Sequence, residues 1–320
     1  MGGAWGGGGH VIVTVAICTW NRCVSLARTL DGLAQQQIPR DTELDVLVVN
    51  NNCTDATNQT VDAFGGTLRV RRIFEATPGL SHARNAAVAG AAGDYILWID
   101  DDVLVQPGWL GAYRTAMDEH PDAAVFGGPI EPQFEGTPPA WLLEVLPYVA
   151  NAYASRALGD QAQAFDVTVG RIPFGANYGV RTSVQRQYTY DATLGRRPQN
   201  VHGVGEETAV VSAILRDGQS GWWIPGARVH HTVPQSRQSL GYLRRYFANL
   251  GRIDAREEIG PSISTVLGHP RWLWRQAMEA EMRYRYGRIA RRPSTWIVDF
   301  IAASRLWGRL LERRSEARGR

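Results

Sequence analysis

The stretch YILWIDDDVLV (residues 95–105) places three consecutive aspartates, Asp100, Asp101 and Asp102, at the end of an apolar run. Carboxylates this close repel one another, and burying an ionised carboxylate without a partner is costly. An Asp-x-Asp pair offers hard oxygen ligands that suit Mg²⁺ or Mn²⁺, with phosphate oxygens and water completing the coordination shell. The triplet therefore predicts a divalent metal site, with a solvated acidic turn or a helix cap as the structural alternative.

A second acidic pair, Glu206 and Glu207, begins the segment GEETAVVSAILRDG, which has a helical pattern and ends before Gly218. Acidic side chains in the first turn of a helix interact favourably with the helix dipole. A carboxylate in a partly closed cleft can also have its pKa raised toward the range in which it works as a general base. The pair is therefore a candidate for proton transfer as well as for helix stabilisation.

The elements that must position these carboxylates alternate between strand-like and helix-like segments in the first half of the chain. Four segments rich in apolar and β-branched residues are predicted as strands: 11–19, 44–50, 68–75 and 94–100. Three segments with helical spacing lie between them: 21–36, 53–64 and 80–93. This β-α-β-α order predicts an α/β fold with a mainly parallel central sheet and helices on both faces.

Polar clusters follow three of the predicted strands, at residues 19–22, 50–52 and 100–102. Parallel sheets of this kind bind ligands at the carboxyl ends of their strands. The three clusters therefore predict a single site. In the second half, residues 107–120, 205–218 and 239–252 are predicted as helices and residues 221–231 as a strand, whereas residues 131–170 show no clear period.

Composition and charge limit the class of protein. The chain has 320 residues, 44% hydrophobic and 20% charged, which is typical of a globular protein with a sizeable core. The net charge of +3 is too small to indicate nucleic-acid binding. From residue 271 onward, thirteen arginines and five acids give +8, so the remaining residues sum to −5.

The cysteines and the hydropathy pattern favour a cytoplasmic protein. The cysteine count of three is odd and the spacing is not that of a metal site, which predicts reduced thiols. Residues 1–10 are predicted to be a disordered leader, and no run approaches the roughly 18 apolar residues that span a bilayer. Attachment to the inner surface of the cell membrane stays open.

Five motifs occur in the order and spacing of the inverting family 2 glycosyltransferases: AICTWNR, VVNNNCTDAT, PGLSHARNAAVAGAAGDYILWIDDDV, GANYGVR and GEETAVVSAILRDG. The resemblance covers roughly residues 11–252. It implies a GT-A type fold, with a Rossmann-like nucleotide-sugar-binding half (11–105) and an acceptor-binding, catalytic half (106–252). Residues 253–320 would then form a basic, Trp- and Arg-rich helical extension.

The resemblance also implies roles for the polar loops that bind the nucleotide sugar. Thr19, Asn21 and Arg22 match the first nucleotide-binding loop of the family. Asn50 stands where the family usually has an aspartate that accepts a hydrogen bond from uracil, and Asp55 matches the later aspartate of that loop. Because an amide both accepts and donates, Asn50 permits uracil without favouring it over another base.

Further roles are implied around the aspartate triplet. Arg84 matches an arginine that reaches the diphosphate or ribose of the donor. Asp100 matches a residue that touches the ribose or the metal, and Asp102 matches the direct metal ligand. Asp101 lies between them on the nucleotide-sugar side.

The remaining implied roles concern the metal shell, the base and the acceptor. His231 matches a histidine that completes the metal shell, with His230 as its rival because alternate strand residues point in opposite directions. Glu207 matches the general base, with Glu206 as its partner. Asn177 falls in the acceptor-side strand, and a capped turn is its structural alternative.

These matches imply an inverting, Mn²⁺- or Mg²⁺-dependent transfer of a sugar from a nucleotide sugar, with UDP-sugars favoured. The acceptor would be a glycan, a lipid-linked glycan or a small molecule. A sugar-phosphate nucleotidyltransferase is an alternative, but the glycine-rich basic loop that such enzymes carry near the first strand is missing. A catalytically silent carbohydrate-binding or scaffold protein with the same fold is the other alternative.

Residues 271–320 mix tryptophan, tyrosine and arginine. Such a segment can lie on an anionic membrane surface, pack on the catalytic domain or form a dimer contact. Nucleic-acid binding is not expected, because no recognised reading module accompanies the segment.

Overall fold

The structure is a computed structural model that describes residues 9–197, 203–257, 265–266, 269–290 and 292–318. Most of the leader predicted for residues 1–10 lies outside the described residues. The chain forms two compact units. The first unit comprises Met1–Gln133 and Ala154–Thr232, and the second unit comprises Phe134–Tyr153 and Val233–Arg320.

The strands are numbered in chain order. They are β1 (Val11–Thr19), β2 (Thr42–Asn50), β3 (Val70–Phe74), β4 (Tyr95–Ile99), β5 (Val103–Val105), β6 (Val125–Gly127), β7 (Ile130–Phe134), β8 (Gln163–Ala164), β9 (Asn177–Arg181), β10 (Gly221–Trp223), β11 (Val229–Val233), β12 (Thr265–Val266) and β13 (His269–Pro270).

The α-helices are numbered in the same way. They are α1 (Cys23–Ala34), α2 (Thr57–Ala63), α3 (Leu80–Gly90), α4 (Trp109–Glu119), α5 (Ala140–Val149), α6 (Thr182–Gln185), α7 (Glu206–Arg216), α8 (Leu240–Glu257), α9 (Arg271–Ala290) and α10 (Pro293–Arg318). Three short 3₁₀ segments lie at Ala150–Tyr153, Val167–Val169 and Gln235–Arg237.

The central sheet of the first unit has eight strands in the order β3-β2-β1-β4-β9-β6-β10-β8. The pairs of β1 with β2, β2 with β3, β1 with β4 and β6 with β10 are parallel. Strand β9 is antiparallel to both β4 and β6, and β8 is antiparallel to β10. The predicted mainly parallel α/β fold is confirmed.

Helices cover both faces of this sheet because alternate side chains of the buried strands point to opposite sides. On one face Val13, Val15 and Ile17 of β1 pack in a core with Leu26 and Leu30 of α1. The other face is built on Ala16 of β1, Ala83 and Ala87 of α3, and Val210 and Val211 of α7. Both faces of β1 are therefore buried, and its one polar residue between Val11 and Cys18, Thr14, is buried and donates to the carboxylate of Asp45.

The parallel register brings the predicted polar clusters to one edge. Thr19 ends β1 directly opposite Asn50, which ends β2. Strand β4 lies on the other side of β1 and ends at Ile99, immediately before the aspartate triplet. A separate three-stranded sheet, in the order β5-β11-β7, continues from the triplet through β5.

The second unit is mainly helical. Its core contains Leu142 and Val145 of α5, Leu243 of α8, and Ile297 and Phe300 of α10. The boundary predicted between residues 252 and 253 falls within α8, whose side chains belong to this core. None of the helices in the described part of the chain combines the length and hydropathy needed to cross a membrane.

Candidate active site

Three candidate metal ligands converge after β4. Asp100, Asp102 and His231 each offer one ligand atom, and these atoms all lie within 4.8 Å of one another. Strand β11 runs antiparallel to β5, which sets His231 opposite Val103. The backbone N–H of Thr232 donates to the carbonyl oxygen of Asp102 at 2.9 Å, so the histidine strand is fastened to the aspartate turn.

The strand alternation separates the two histidines. The Nε2 atom of His231 lies 3.3 Å from Oδ1 of Asp102, and His231 is buried. His230 instead contacts the side chain of Gln106, and its Nδ1 lies 3.7 Å from Oε2 of Glu131. The structure therefore places His231, and not His230, beside the aspartates.

Arg22 supplies a cation to the triplet. Its Nη1 lies 2.6 Å from Oδ1 of Asp101, and its Nη2 lies 2.8 Å from Oδ2 of Asp102. The Oγ1 of Thr19 donates to the other oxygen of Asp101 at 2.7 Å. The aspartate triplet predicted a metal cation. The structure shows that Arg22 of the first loop is already a cation beside the triplet and offsets part of the repulsion.

Burial and these pairings shift the pKa values of Asp101 and Arg22. Burial raises the pKa of Asp101 to about 6, although the guanidinium of Arg22 opposes this shift. Burial by itself would lower the pKa of Arg22, but the charges of Asp101 and Asp102 outweigh it and raise the pKa. The two partners hold each other in the charged state near neutral pH.

The donor set fits a divalent cation. Oδ2 of Asp102 faces Arg22, whereas Oδ1 faces His231, so one carboxylate oxygen is directed toward the histidine of the cluster. Two carboxylate oxygens and one imidazole nitrogen are ligands that Mn²⁺ accepts readily and that Mg²⁺ tolerates. The three residues together would hold such an ion, with donor phosphate and water filling the remaining positions.

The predicted nucleotide loops are tied to each other by side chains. Asn21 has a left-handed backbone (φ 52°), and its Oδ1 accepts from the N–H of Thr54 at 2.7 Å. Asn50 accepts from the N–H of Cys53 at 2.8 Å and donates to Oδ1 of Asn58 at 2.9 Å. These amides therefore fix the shape of the loop edge.

Asp55 joins the same two loops. Its carboxylate accepts from the N–H of Cys23, at the start of α1, at 2.9 Å, and from the N–H of Thr57 at 3.1 Å. Burial opposes ionisation, but the hydrogen bonds from Thr57 and Cys23 together outweigh it and lower the pKa of Asp55. An exposed, ionised Asp55 thus caps the starts of two helices, and nucleotide binding by Asp55 stays a prediction.

The acidic pair opens α7 after Gly205, whose φ of 99° suits glycine. Glu206 is buried, whereas Glu207 is half-buried. Nη1 of Arg84 lies 3.5 Å from Oε1 of Glu206 and 3.7 Å from Oε2 of Glu207. Both carboxylates therefore share one buried guanidinium.

Burial has a large effect on the inner glutamate. Desolvation raises the pKa of Glu206 to about 7, the charge of Glu207 adds to this rise, and Arg84 opposes it. The charge of Asp100 also raises the pKa of Glu206. The two predicted carboxylate groups therefore interact electrostatically, and their membership of one site stays a prediction.

The position of Arg84 differs from the predicted contact with the donor diphosphate. Arg84 is only 3% exposed, and its guanidinium lies 5.8 Å from the ring centre of Trp98 and 5.5 Å from that of Tyr190. Its nearest acids are the two glutamates. Because the side chain is enclosed by these groups, its role in the structure is to hold the acidic pair.

Comparisons with known proteins agree with this geometry. The chain matches the family model described as Glycosyl transferase family 2 over residues 14–183, more than half of its length. The chain belongs to this family. It is 26% identical to the succinoglycan biosynthesis protein ExoM of Rhizobium meliloti (strain 1021), over 76% of this chain and 74% of ExoM. It is 23% identical to the glucosyl-dolichyl phosphate glucuronosyltransferase of Haloferax volcanii, over 72% of each chain.

Solved structures show the same fold. The mannosyltransferase PcManGT of Pyrobaculum calidifontis, solved with GDP-Man and Mn²⁺, aligns with a TM-score of 0.58 at 18% identity, over 95% of this chain and 87% of PcManGT. TarS 1-349 of S. aureus aligns with a TM-score of 0.52 at 16% identity, over 96% and 92%. The predicted GT-A type fold and the glycosyltransferase class are thereby confirmed, and the nucleotidyltransferase alternative is set aside.

Asn177 of the glycosyltransferase has no polar group available to an acceptor. It is fully buried; its Oδ1 accepts from Nε1 of Trp109 and from the hydroxyl of Tyr113, both at 2.9 Å. Its Nδ2 donates to the carbonyl oxygens of Pro129 and Ala227, at 3.0 and 2.7 Å. Asn177 thus links β9 to α4 and two loops, in place of the predicted acceptor contact.

Sequence reasoning missed two positions in the glycosyltransferase site. A Cβ at Gly175 would lie 2.9 Å from Nη2 of Arg84 and 3.0 Å from Cδ of Glu207, so only glycine leaves room for their approach. Asn51 accepts from the N–H of Gly79 and donates to the carbonyl oxygens of Glu75 and Thr77. The asparagine triplet pointed to Asn51, but its partners lie more than twenty residues away.

Proposed function

We propose that the protein transfers a sugar from a UDP-sugar to an acceptor hydroxyl with inversion at the anomeric carbon, in a reaction that depends on Mn²⁺ or Mg²⁺. The observation that carries this proposal is the cluster of Asp100, Asp102 and His231 after β4, whose ligand atoms lie within 4.8 Å of one another. Glu206 and Glu207 form a second acidic group at the start of α7, and the charge of Asp100 is among the causes of the raised pKa of Glu206.

The metal cluster explains how a diphosphate leaving group would be accommodated. Asp100, Asp102 and His231 would hold a divalent ion, and this ion would supply electrostatic stabilisation of the negative charge on the departing diphosphate. Arg22 lies beside the same aspartates and carries a charge of the sign that a diphosphate attracts. Thr19 fixes Asp101, which in turn orients Arg22.

Glu207 is the proposed general base. It is the more exposed member of the pair, so it has access to an acceptor hydroxyl that the buried Glu206 lacks. An inverting transfer needs one base, which accepts the hydroxyl proton as the acceptor oxygen forms its bond to the anomeric carbon. Arg84 and Glu206 hold Glu207 in place, and Gly175 leaves space beside its carboxylate.

The comparisons support a nucleotide-sugar donor and a glycan acceptor. PcManGT was solved with GDP-Man, TarS 1-349 was solved with UDP, and ExoM is named for succinoglycan biosynthesis. Among the acceptors open to the sequence, an oligosaccharide of a polysaccharide pathway is the first to test. Asn50 is buried and its amide bonds Cys53 and Asn58, so its contact with the donor base stays a prediction from the family resemblance.

A thermal-shift panel tests the donor and the metal. UDP, GDP and their sugars should be compared with and without Mn²⁺. A bound ligand stabilises the folded state by RT ln(1 + [L]/Kd), so at equal concentration the nucleotide with the lowest Kd gives the largest shift. UDP is expected to give the largest shift, and only with metal. Asp102→Ala should remove the shift, whereas Glu131→Gln, outside the cluster, should retain it. An unchanged metal-dependent shift in the Asp102→Ala variant would contradict the assignment of Asp102 as a metal ligand.

Glu207→Gln tests the base. Donor binding should be retained, whereas transfer should fall by about 10² to 10⁴, the range that a general base contributes. Full activity of this variant, with loss of activity in Glu206→Gln, would move the base to Glu206.

A further inference from the structure

Helix α9 carries an exposed apolar stripe in the second unit. Met278 is 55% exposed, Met282 61%, Tyr286 67% and Ile289 89%. Their spacing of four, four and three residues puts all four side chains on one face of the helix. Side chains of this size that share one exposed face differ from the isolated apolar residues common on protein surfaces.

The opposite face of α9 is well packed, so the stripe belongs to an ordered helix. Leu273, Ala277 and Ala280 are buried, and Tyr284 lies against the rings of Trp296 and Phe300 of α10. One face of α9 thus packs in the core of the second unit, and a second apolar face is exposed to solvent.

Arginines lie among the exposed apolar residues. At about 100° per residue, Arg271, Arg275 and Arg285 fall on the same face as the stripe. The side chains of Arg275 and Arg285 are 74% and 76% exposed. Two of these arginines are paired with acids of the same helix: Arg275 lies 3.6 Å from Glu279, and Arg285 lies 3.1 Å from Glu281. Because three arginines stand against these two acids, the face keeps a positive charge.

We propose that this face of α9, defined by Met278, Met282, Tyr286 and Ile289 with their arginines, docks the enzyme on a membrane surface of anionic phospholipid. The apolar side chains would enter the boundary between headgroups and acyl chains, and the arginines would pair with lipid phosphates. The helix lies along the surface and does not span the bilayer.

The charge on this face favours lipid over a second copy of the chain. In a two-fold dimer the same patch meets itself, so the arginines of one protomer would face those of the other. An anionic lipid surface matches both features at once, because it offers phosphates to the arginines and hydrocarbon to the apolar side chains.

Vesicle co-sedimentation of the full chain tests this proposal. Phosphatidylcholine vesicles should be compared with vesicles that also contain phosphatidylglycerol, at low and high salt. The protein is expected to bind only the anionic vesicles and to be released by salt. Arg275→Gln should weaken binding by about fivefold, the effect of one surface arginine, and Met282→Glu combined with Ile289→Glu should weaken it by at least about tenfold.

The matched control is Val169→Glu, since Val169 is a 69% exposed apolar residue of the first unit. This variant should bind like the wild type, and circular dichroism should show that every variant is folded. Absence of binding to anionic vesicles by the intact chain would overturn the proposal. So would unchanged binding of the Met282 and Ile289 variant, or a dimer in light scattering that this variant dissociates.

Discussion

Arg22 shows how one residue changes the electrostatics of the site. A guanidinium that lies 2.6 Å from Asp101 and 2.8 Å from Asp102 neutralises part of a charge cluster that would otherwise repel itself. The arrangement also means that a metal at Asp102 meets a neighbouring positive charge. Arg22 therefore lowers the attraction of the cluster for a bare cation, while it leaves a donor diphosphate attracted to both charges.

Replacing Arg22 tests this balance. Arg22→Gln removes the positive charge beside Asp102, so Mn²⁺ should bind about tenfold more tightly in the absence of nucleotide. Titration calorimetry with Mn²⁺ alone measures this change. Arg22→Lys keeps the charge and is the matched control, which should bind Mn²⁺ like the wild type. Weaker Mn²⁺ binding by Arg22→Gln would show that Arg22 chiefly positions Asp102.

The burial of Glu206 should make the stability of the fold depend on pH. Its pKa is raised from 4.5 to about 7, so the folded state holds the proton more tightly than the unfolded state. Stability therefore falls as the pH rises between these values, because the buried carboxylate must ionise; the penalty is about 3 kcal/mol. Glu206→Gln should consequently raise the Tm by several degrees at pH 8 and much less at pH 5.

Glu279→Gln is the control for this measurement, because Glu279 is exposed on α9. Differential scanning calorimetry at both pH values should show no pH-dependent gain for Glu279→Gln. An equal change of Tm at both pH values for Glu206→Gln would contradict the assignment of the raised pKa to this residue.

At the scale of elements, strand β1 was predicted at its observed bounds, because a strand buried on both faces is rich in β-branched and apolar residues along its whole length. Helix α5 was not predicted, because Pro147 lies inside it and prolines precede it. Residues 221–231 were predicted as one strand, but the chain turns between β10 and β11. The turn that separates the two sheets lies at Pro225-Gly226, a dipeptide typical of turns that the prediction of one continuous strand did not use.

The candidate site likewise has residues that the sequence could predict and contacts that it could not. Asp100, Asp102 and the acidic pair could be predicted from motif order, since their positions follow strand and helix ends. The contact of Arg84 with Glu206 could not be predicted from the sequence, because it depends on how α3 and α7 come together in the same core. The saturated amide of Asn177 likewise depends on Trp109 and Tyr113, more than sixty residues away.

Helices α8 and α10 approach closely at two glycines, which makes their crossing sensitive to a single methyl group. A Cβ on Gly251 would overlap the carbonyl oxygen of Arg305, and one on Gly308 would overlap that of Ala248. Since both obstacles are backbone atoms, they cannot rotate away. Gly251→Ala should therefore destabilise the protein by about 1–3 kcal/mol in urea unfolding, despite the better helix propensity of alanine.

Gly241→Ala is the control within the same helix. A Cβ there has its nearest neighbours at 3.7 and 3.8 Å, in side chains, so this substitution should leave stability unchanged or raise it by up to about 1 kcal/mol. Equal effects of the two substitutions would show that the helices do not cross at Gly251.

At the scale of the whole molecule, the family match and the chemistry lie in the first unit, apart from the part of the match that crosses Phe134–Tyr153. The acidic pair Glu206-Glu207 and His231 both lie beyond residue 183, where the family match ends. The second unit takes its core from α5, α8 and α10, so the basic C-terminal helices are structural parts of that unit. Residues 271–320 as a whole carry a net charge of +8, opposite in sign to the −5 of the rest of the chain.

Deletion of residues 271–320 should therefore unfold the second unit. Without α10, Leu142, Leu243 and Phe247 lose their partners Ile297 and Phe300, and about 1.5–3 kcal/mol is lost for each large apolar side chain that returns to water. Hydrogen exchange should show loss of protection in α5 and α8, while β1 of the first unit stays protected. Met282→Glu, which changes only an exposed position of α9, should keep the protection of the full chain. Retained protection of α5 and α8 in the truncated chain would mean that these two helices fold without α9 and α10, and would contradict the shared core of the second unit.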